Sequence, residues 1–236
     1  MRPYYDAGGI TIYYGDAREI LPGLEMTPDL ILTDPPYGIC LDTANKSRQR
    51  GFRMTSKGMS GDCKDWPRIE GDDKPFDPAL LLGRTKNMIL WGGNHYASRL
   101  PDSRCWMVWD RKDGRAGGTV TDAELAWTSG LPYSTNRIFR HVWSGWQRDS
   151  ENAEPHLHPA QKPVKLMEWC LSFFPDAICV LDPYTGSGPV LRAAKNLGKR
   201  AIGIDSAEWC CEAAALRLSQ EVMILPPRPV IPEAGS

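Results

Sequence analysis

The sequence predicts an α/β domain built on a mostly parallel sheet, and three observations carry that expectation. Short β-branched runs alternate with helical patterns along the chain, the order that gives parallel strands joined by crossover helices. One run, residues 178–181, leads through Asp182-Pro183-Tyr184-Thr185-Gly186-Ser187-Gly188 straight into a helix, an arrangement that presses backbone amides against a ligand. At 236 residues the chain can bury one sizeable core without staples, and two independent domains would be cramped.

Residues 10–14 are β-branched and aromatic, and Gly15-Asp16 closes them as a strand-to-helix turn, with a short helix following from 17 to about 24. Residues 30–33 make the next strand, ending at Asp34. Residues 88–91 read as a buried strand, 92–94 as a turn and 96–100 as a helix; 105–109 is a further strand. Residues 122–128 and 137–143 suggest an antiparallel pair around the turn 129–132. Pro163 opens a helix at its tolerated first turn, with Val164, Leu166, Met167, Trp169, Cys170 and Leu171 on one side and Pro175 as the stop. Strand 178–181, helix 187–197, strand 201–204 and helix 208–218 complete the order. A single domain is expected over residues 1–225, with a proline-rich tail at 226–236. The aperiodic stretch 41–75 marks a functional or mobile loop inserted after Asp34.

Composition narrows the classes. Seven cysteines without a Cys-x-x-Cys pair argue against a disulfide framework or a zinc site and suggest buried thiols in a reducing compartment. The first residues carry no apolar signal region and no stretch approaches a membrane span, so a cytoplasmic location is expected. With a net charge of −1, a nucleic-acid partner must be met by a local basic patch.

Two motifs carry chemistry. Asp34-Pro35-Pro36-Tyr37-Gly38 sets a carboxylate and an aromatic ring just past an apolar strand. The carboxylate and the Pro35 carbonyl can accept hydrogen bonds from an exocyclic amine, and Tyr37 offers a face to a base that has left its helix. Taken alone, a rigid turn explains these residues equally well. The second motif, from Asp182 to Gly188, is followed by Asp205 at about the 20-residue spacing at which an acid meets ribose hydroxyls. The third glycine of the dinucleotide fingerprint is replaced by Leu191, which favours a nucleoside ligand without a pyrophosphate, such as S-adenosylmethionine.

Asp34-Pro35-Pro36-Tyr37, His158-Pro159-Ala160-Gln161-Lys162-Pro163 and Asp182-Pro183-Tyr184-Thr185-Gly186-Ser187-Gly188, in that order, closely resemble the β-group amino-methyltransferases of DNA, in which the catalytic motif precedes the cofactor motif. The resemblance spans nearly the whole chain. It implies a Rossmann-like class I methyltransferase fold, circularly permuted, with a seven-stranded, mostly parallel sheet and one antiparallel edge strand. It implies Asp34, Pro35, Pro36 and Tyr37 as the catalytic tetrad, Asp16 and Ala17 near the cofactor adenine, and Asp182, Tyr184, Gly186, Ser187 and Gly188 around its methionine part. Asp34 also borders the cofactor, Asp205 resembles the ribose ligand, and Lys162 is placed to approach the cofactor carboxylate. Ala160 stands where the family often has threonine.

Asp34 in the first position is similar to enzymes acting on adenine N6, whereas serine there is commoner among those acting on cytosine N4. The expected activity is therefore adenine-N6 methylation of a flipped base in double-stranded DNA, in a restriction–modification setting and without a metal. The rivals are the cytosine-N4 enzyme, an RNA- or protein-amide-methylating relative, and a non-catalytic DNA-binding or partner subunit. DNA contacts are expected from Lys46, Arg48, Arg50, Arg53 and Lys57, a basic run interleaved with Phe52 and Met54 and free of acids, and from Arg137 and Arg140, near His141, Trp143, Trp146 and Arg148. About a dozen residues are free for target recognition before His158, so recognition falls on 41–75, on short loops, or on a second copy of the chain in a homodimer.

Overall fold

The computed structural model describes residues 1–41, 43, 66–115, 117, 121–143, 147–152, 154 and 156–219. Among them, nine strands form one sheet: β1 (Tyr5–Ala7), β2 (Ile10–Tyr14), β3 (Leu30–Thr33), β4 (Met88–Trp91), β5 (Trp106–Asp110), β6 (Ala123–Ser129), β7 (Arg137–Arg140), β8 (Cys179–Asp182) and β9 (Arg200–Asp205). Their order across the sheet is β1-β2-β9-β8-β3-β4-β6-β5-β7. The helices are α1 (Ala17–Ile20), α2 (Val164–Ser172), α3 (Pro189–Asn196) and α4 (Glu208–Ser219).

The central strands are buried on both faces. Every residue of β3, β4 and β8 is buried, as expected for parallel strands covered above and below. Alternation divides them between two layers: Leu30 and Leu32 pack with α2, α3 and α4, whereas Ile31 turns to the other face with Ala17, Ile20, Phe76, Leu81 and Tyr96. Pro189 opens α3 at the position where its missing N–H costs nothing, after Gly188 at φ +76°.

Four expectations are corrected. The sheet has nine strands, not seven; without the outermost β1 and β7, seven remain, and of these β6 alone runs against its neighbours. That strand lies inside the sheet between β4 and β5, not at an edge. The expected hairpin of 122–128 with 137–143 does not form, because β7 runs parallel to β5 on its far side. The burial pattern gives the reason: Ala126, Trp127 and Thr128 of β6 are buried, whereas β7 alternates half-buried arginine and phenylalanine positions with exposed ones, the pattern of an edge. The helix expected at 96–100 is two 3₁₀ turns, Gly93–His95 and Ala97–Arg99.

The chain leaves β8 for β9 on one side, while β3 leads to β4 on the other. Open α/β sheets bind ligands at such a reversal, outside the carboxyl ends of the strands. Here the ladder between β3 and β8 ends at Ile31–Leu181, and just beyond it the Thr33 hydroxyl donates to Asp182 Oδ1 at 2.6 Å. None of the helices among the described residues is long and apolar enough to cross a membrane.

Two stability predictions follow from this packing. A Cβ at Gly203 would lie 2.4 Å from Thr185 Oγ1 and 2.7 Å from Leu191 Cδ1, so Gly203→Ala should lose about 1–3 kcal/mol in a urea titration. Burial pushes the Asp182 carboxyl up to about 7, against the opposing hydrogen bonds from Thr33 and the Tyr184 amide. In the unfolded chain this acid ionises near pH 4, so between about pH 4 and 7 unfolding releases its proton and stability falls as pH rises. Asp182→Asn should make the decline in urea midpoint across that window shallower than in the parent; only part of the slope disappears, because Asp34 and Asp205 are raised in the same direction.

Candidate active site at the carboxyl end of the sheet

Asp34 follows β3 and sits in a nearly enclosed cluster of charge. The Tyr37 hydroxyl donates to Asp34 Oδ1, while Lys162 Nζ lies 2.5 Å from Asp34 Oδ2 and 3.0 Å from Glu124 Oε2. Arg111 Nη1 holds the other Glu124 oxygen at 2.7 Å and is itself fixed by donating to the Trp143 carbonyl. Glu124 reaches this site because β6 runs antiparallel, so its first residues lie at the carboxyl edge of the parallel strands, with Glu124 opposite Trp109.

The three charges settle unequally. Burial works against the charged form of Lys162, but Asp34 and Glu124 outweigh it and hold the ammonium above its ordinary pKa. Burial also opposes ionisation of Glu124, yet Lys162 and Arg111 bring it below the usual carboxylate range. For Asp34 burial prevails, aided by the Glu124 charge and offset only in part by Lys162, and its pKa is raised.

The Tyr37 ring is packed on one side by His95, with centroids 4.8 Å apart and planes 13° from parallel. It also fits against a backbone without a side chain: a Cβ at Gly92, where φ is +73°, would fall 1.9 Å from Tyr37 Cε1. The turn after the tetrad is tied down by Asp72, whose carboxylate accepts from the amides of Gly38, Ile39 and Leu41 at 2.9, 3.2 and 2.6 Å.

Across the switch point, Asp182 Oδ1 also accepts from the Tyr184 amide at 3.2 Å, and its carbonyl accepts from Thr185 Oγ1 at 3.0 Å. Asp205 Oδ2 accepts from the Gly186 amide at 2.7 Å, bringing the acid at the end of β9 to the glycine turn. Gly15, at the end of β2, donates to the Asp205 carbonyl at 2.8 Å, and Asp16 caps α1 through the Arg18 amide, with Ala17 buried behind it. A Cβ at Gly186 would meet nothing closer than the His158 ring at 3.9 Å, so this backbone borders open space. The His158 ring stacks on Trp209 with centroids 5.2 Å apart.

Segment 158–163 is fixed from behind by Glu151, a non-glycine residue at φ +57°. Its Oε1 accepts from the Val164 amide at 2.7 Å, capping α2, and its Oε2 accepts from Gln161 Nε2 at 3.3 Å and pairs with buried Arg217 at 3.2 Å. Gln161 Oε1 reaches Ser187 Oγ at 3.5 Å. The structure thus gathers Asp34, Tyr37, Lys162, Asp182, Tyr184, Gly186, Ser187, Gly188, Asp205, Asp16 and Ala17 along one edge of the sheet. Lys162, expected toward the cofactor carboxylate, has its ammonium between Asp34 and Glu124.

Arg137 and Arg140 stand apart, on edge strand β7: the Arg137 guanidinium lies 4.6 Å over the Tyr133 ring, and Arg140 is 3.5 Å from Asp110. Lys46, Arg48, Arg50, Phe52, Arg53, Met54, Lys57 and Trp146, with the tail 226–236, lie outside the described residues. Glu124, Glu151 and Asp72 were not singled out from the sequence. The signal for Glu124 was an acid inside an otherwise apolar strand, Ala-Glu-Leu-Ala-Trp.

Residues 84–216, more than half of the chain, match the N6/N4 DNA methylase family. Two Type II methyltransferases, M2.LlaDCHI of Lactococcus lactis subsp. cremoris and M2.DpnII of Streptococcus pneumoniae, are each 24% identical, the alignments covering 93% of this chain and 93% of each relative. Among solved structures, M1.HpyAVI in complex with S-adenosylmethionine superposes with a TM-score of 0.53 at 21% identity, over 89% of this chain and 100% of that one. The cytosine-N4-specific PvuII DNA methyltransferase gives 0.59 at 15% identity, over 93% of this chain and 89% of that one. These likenesses give the fold as that of class I methyltransferases, and the matched sequence gives the family: the chain belongs to the N6/N4 DNA methylases.

Proposed function

We propose that this protein transfers a methyl group from S-adenosylmethionine to N6 of a flipped adenine in DNA. The observation that carries the proposal is the bond from Thr33, the residue before Asp34, to Asp182 across the switch point between β3 and β8, with Tyr37 held on Asp34. The choice of adenine rests on an aspartate, and not a serine, at the head of the tetrad.

The cofactor supplies an electrophilic methyl group. The residues that would hold it fit, since the backbone at Gly186 borders open space: the Asp205 carboxylate would meet the ribose hydroxyls, Asp182, Tyr184, Gly186, Ser187 and Gly188 would border the methionine part, and Asp16 with Ala17 would border the adenine. An aromatic exocyclic amine is a poor nucleophile because its lone pair is delocalised into the ring. Asp34 and the Pro35 carbonyl, each accepting one of its hydrogens, favour a pyramidal nitrogen whose lone pair points away from the ring. Direct displacement then needs no covalent enzyme intermediate, and the proton leaves after transfer, so Asp34 need not begin as a strong base. Alignment of the two reactants can supply about 7–11 kcal/mol of the acceleration. Burial pushes the thiols of Cys170, Cys179, Cys210 and Cys211 up, Cys211 to about 12, which argues against any of these four as the nucleophile.

Incubation with unmodified genomic DNA and labelled S-adenosylmethionine, followed by nucleoside analysis, should place the label on N6-methyladenine; label on N4-methylcytosine would overturn the choice of base. Asp34→Ala should slow transfer about 100-fold or more, the scale of removing one preorganised group at a reacting centre, and a variant as fast as the parent would sink the mechanism. Gly92→Ala should displace the Tyr37 ring and lower the single-turnover rate roughly 5- to 100-fold, the range set by one base–aromatic stack, while a cofactor titration stays unchanged.

A further inference from the structure

Both oxygens of Asp34 are already engaged, Oδ1 by the Tyr37 hydroxyl and Oδ2 by the Lys162 ammonium. An incoming amine must compete with both for the carboxylate's remaining lone pairs. Lys162 is 6% exposed, and an ammonium left unpaired at such a site is strongly disfavoured. Glu124 is the second carboxylate within reach: its Oε2 is buried and faces Lys162 Nζ at 3.0 Å, while its Oε1 is anchored by Arg111. Nothing in the proposed reaction used Glu124.

We propose that Glu124 is a positioning residue that takes over Lys162 as the target base enters, freeing one oxygen of Asp34 for the amine while keeping the ammonium paired. The inference rests on the function proposed above. The geometry favours handover to Glu124 because a small displacement of Nζ moves the ammonium from one carboxylate to the other without taking it into solvent. The electrostatics point the same way, since Glu124 is the better stabilised anion and Asp34 the weaker one. Asp34 is faced by Lys162 from the segment before α2, by Glu124 from β6, by Tyr37 from its own turn, by Tyr96 from beyond β4 and by Asp182 from β8. Of these, Glu124 can be neutralised without altering the tetrad or the cofactor loop.

The test is single-turnover methylation of DNA by Glu124→Gln across pH 5–9, beside the parent, with cofactor and DNA affinities measured separately. Glutamine keeps the shape but leaves Asp34 as the sole carboxylate for Lys162. The rate should fall about 10-fold, a typical coupling for neighbouring charges, with both affinities within two-fold of the parent. Loss of the Glu124 charge should also move the acidic limb of the pH–rate profile to lower pH, a shift that a merely structural role would not produce. In a Lys162→Gln background the same substitution should have no further effect. Should Glu124→Gln not fold, Glu124→Asp carries the test, with an intermediate rate and a parent-like acidic limb expected. A folded Glu124→Gln with the parent's rate and profile, or losses that add fully to those of Lys162→Gln, would overturn the inference while leaving the function standing. A parent that labels no DNA sinks the function itself, and this inference with it.

Discussion

The hydrogen bond from Thr33 to Asp182 joins the two halves of the site, and the remaining geometry is arranged around it. The β3–β8 ladder stops at Ile31–Leu181, so beyond that pair the two backbones are no longer tied by main-chain bonds. A side-chain bond of 2.6 Å takes over. It fixes the tetrad, one residue after Thr33, against the glycine turn, which begins at Asp182. The ends of two adjacent strands thus hold both motifs in one register.

That arrangement concentrates acids where water is scarce. Asp34, Glu124, Asp182 and Asp205 all stand at the carboxyl edge, and burial opposes the ionisation of each. The protein answers differently at each. Asp205 receives two backbone amides, Asp182 receives a hydroxyl and an amide, and Asp34 and Glu124 share one ammonium. A buried pair of this kind is weak evidence for stability, because desolvation takes back most of the attraction. Its value lies in holding three side chains in one geometry.

Much of this was legible in the sequence. Buried parallel strands announce themselves as short apolar runs, and both chemical motifs follow such runs directly, so residues 30–38 and 178–188 fell where expected. Glu124 left only the mark of an acid in an apolar run; its place in the charge cluster arises when β6 inserts between β4 and β5, a pairing with a strand 35 to 41 residues earlier that local pattern does not encode. The expected hairpin failed for the same reason: neighbours in sequence were separated by β5 in space. Glu151 was hidden differently, since neither its left-handed backbone nor its contacts with Val164, Gln161 and Arg217 leave a mark in composition or periodicity.

The clasp at Asp72 has a consequence for how such a chain can change over time. Its carboxylate gathers the amides of Gly38, Ile39 and Leu41, and its carbonyl accepts from Cys40. The two ends of the long insertion are therefore fastened together a few residues from the tetrad. For a loop closed at its base, each doubling in length costs only about 0.6 kcal/mol. A change of length between the fastened ends would therefore leave the turn after Asp34 in register. The clasp works as a socket: it holds the turn that carries Asp34 and Tyr37, whatever length of chain is plugged into it.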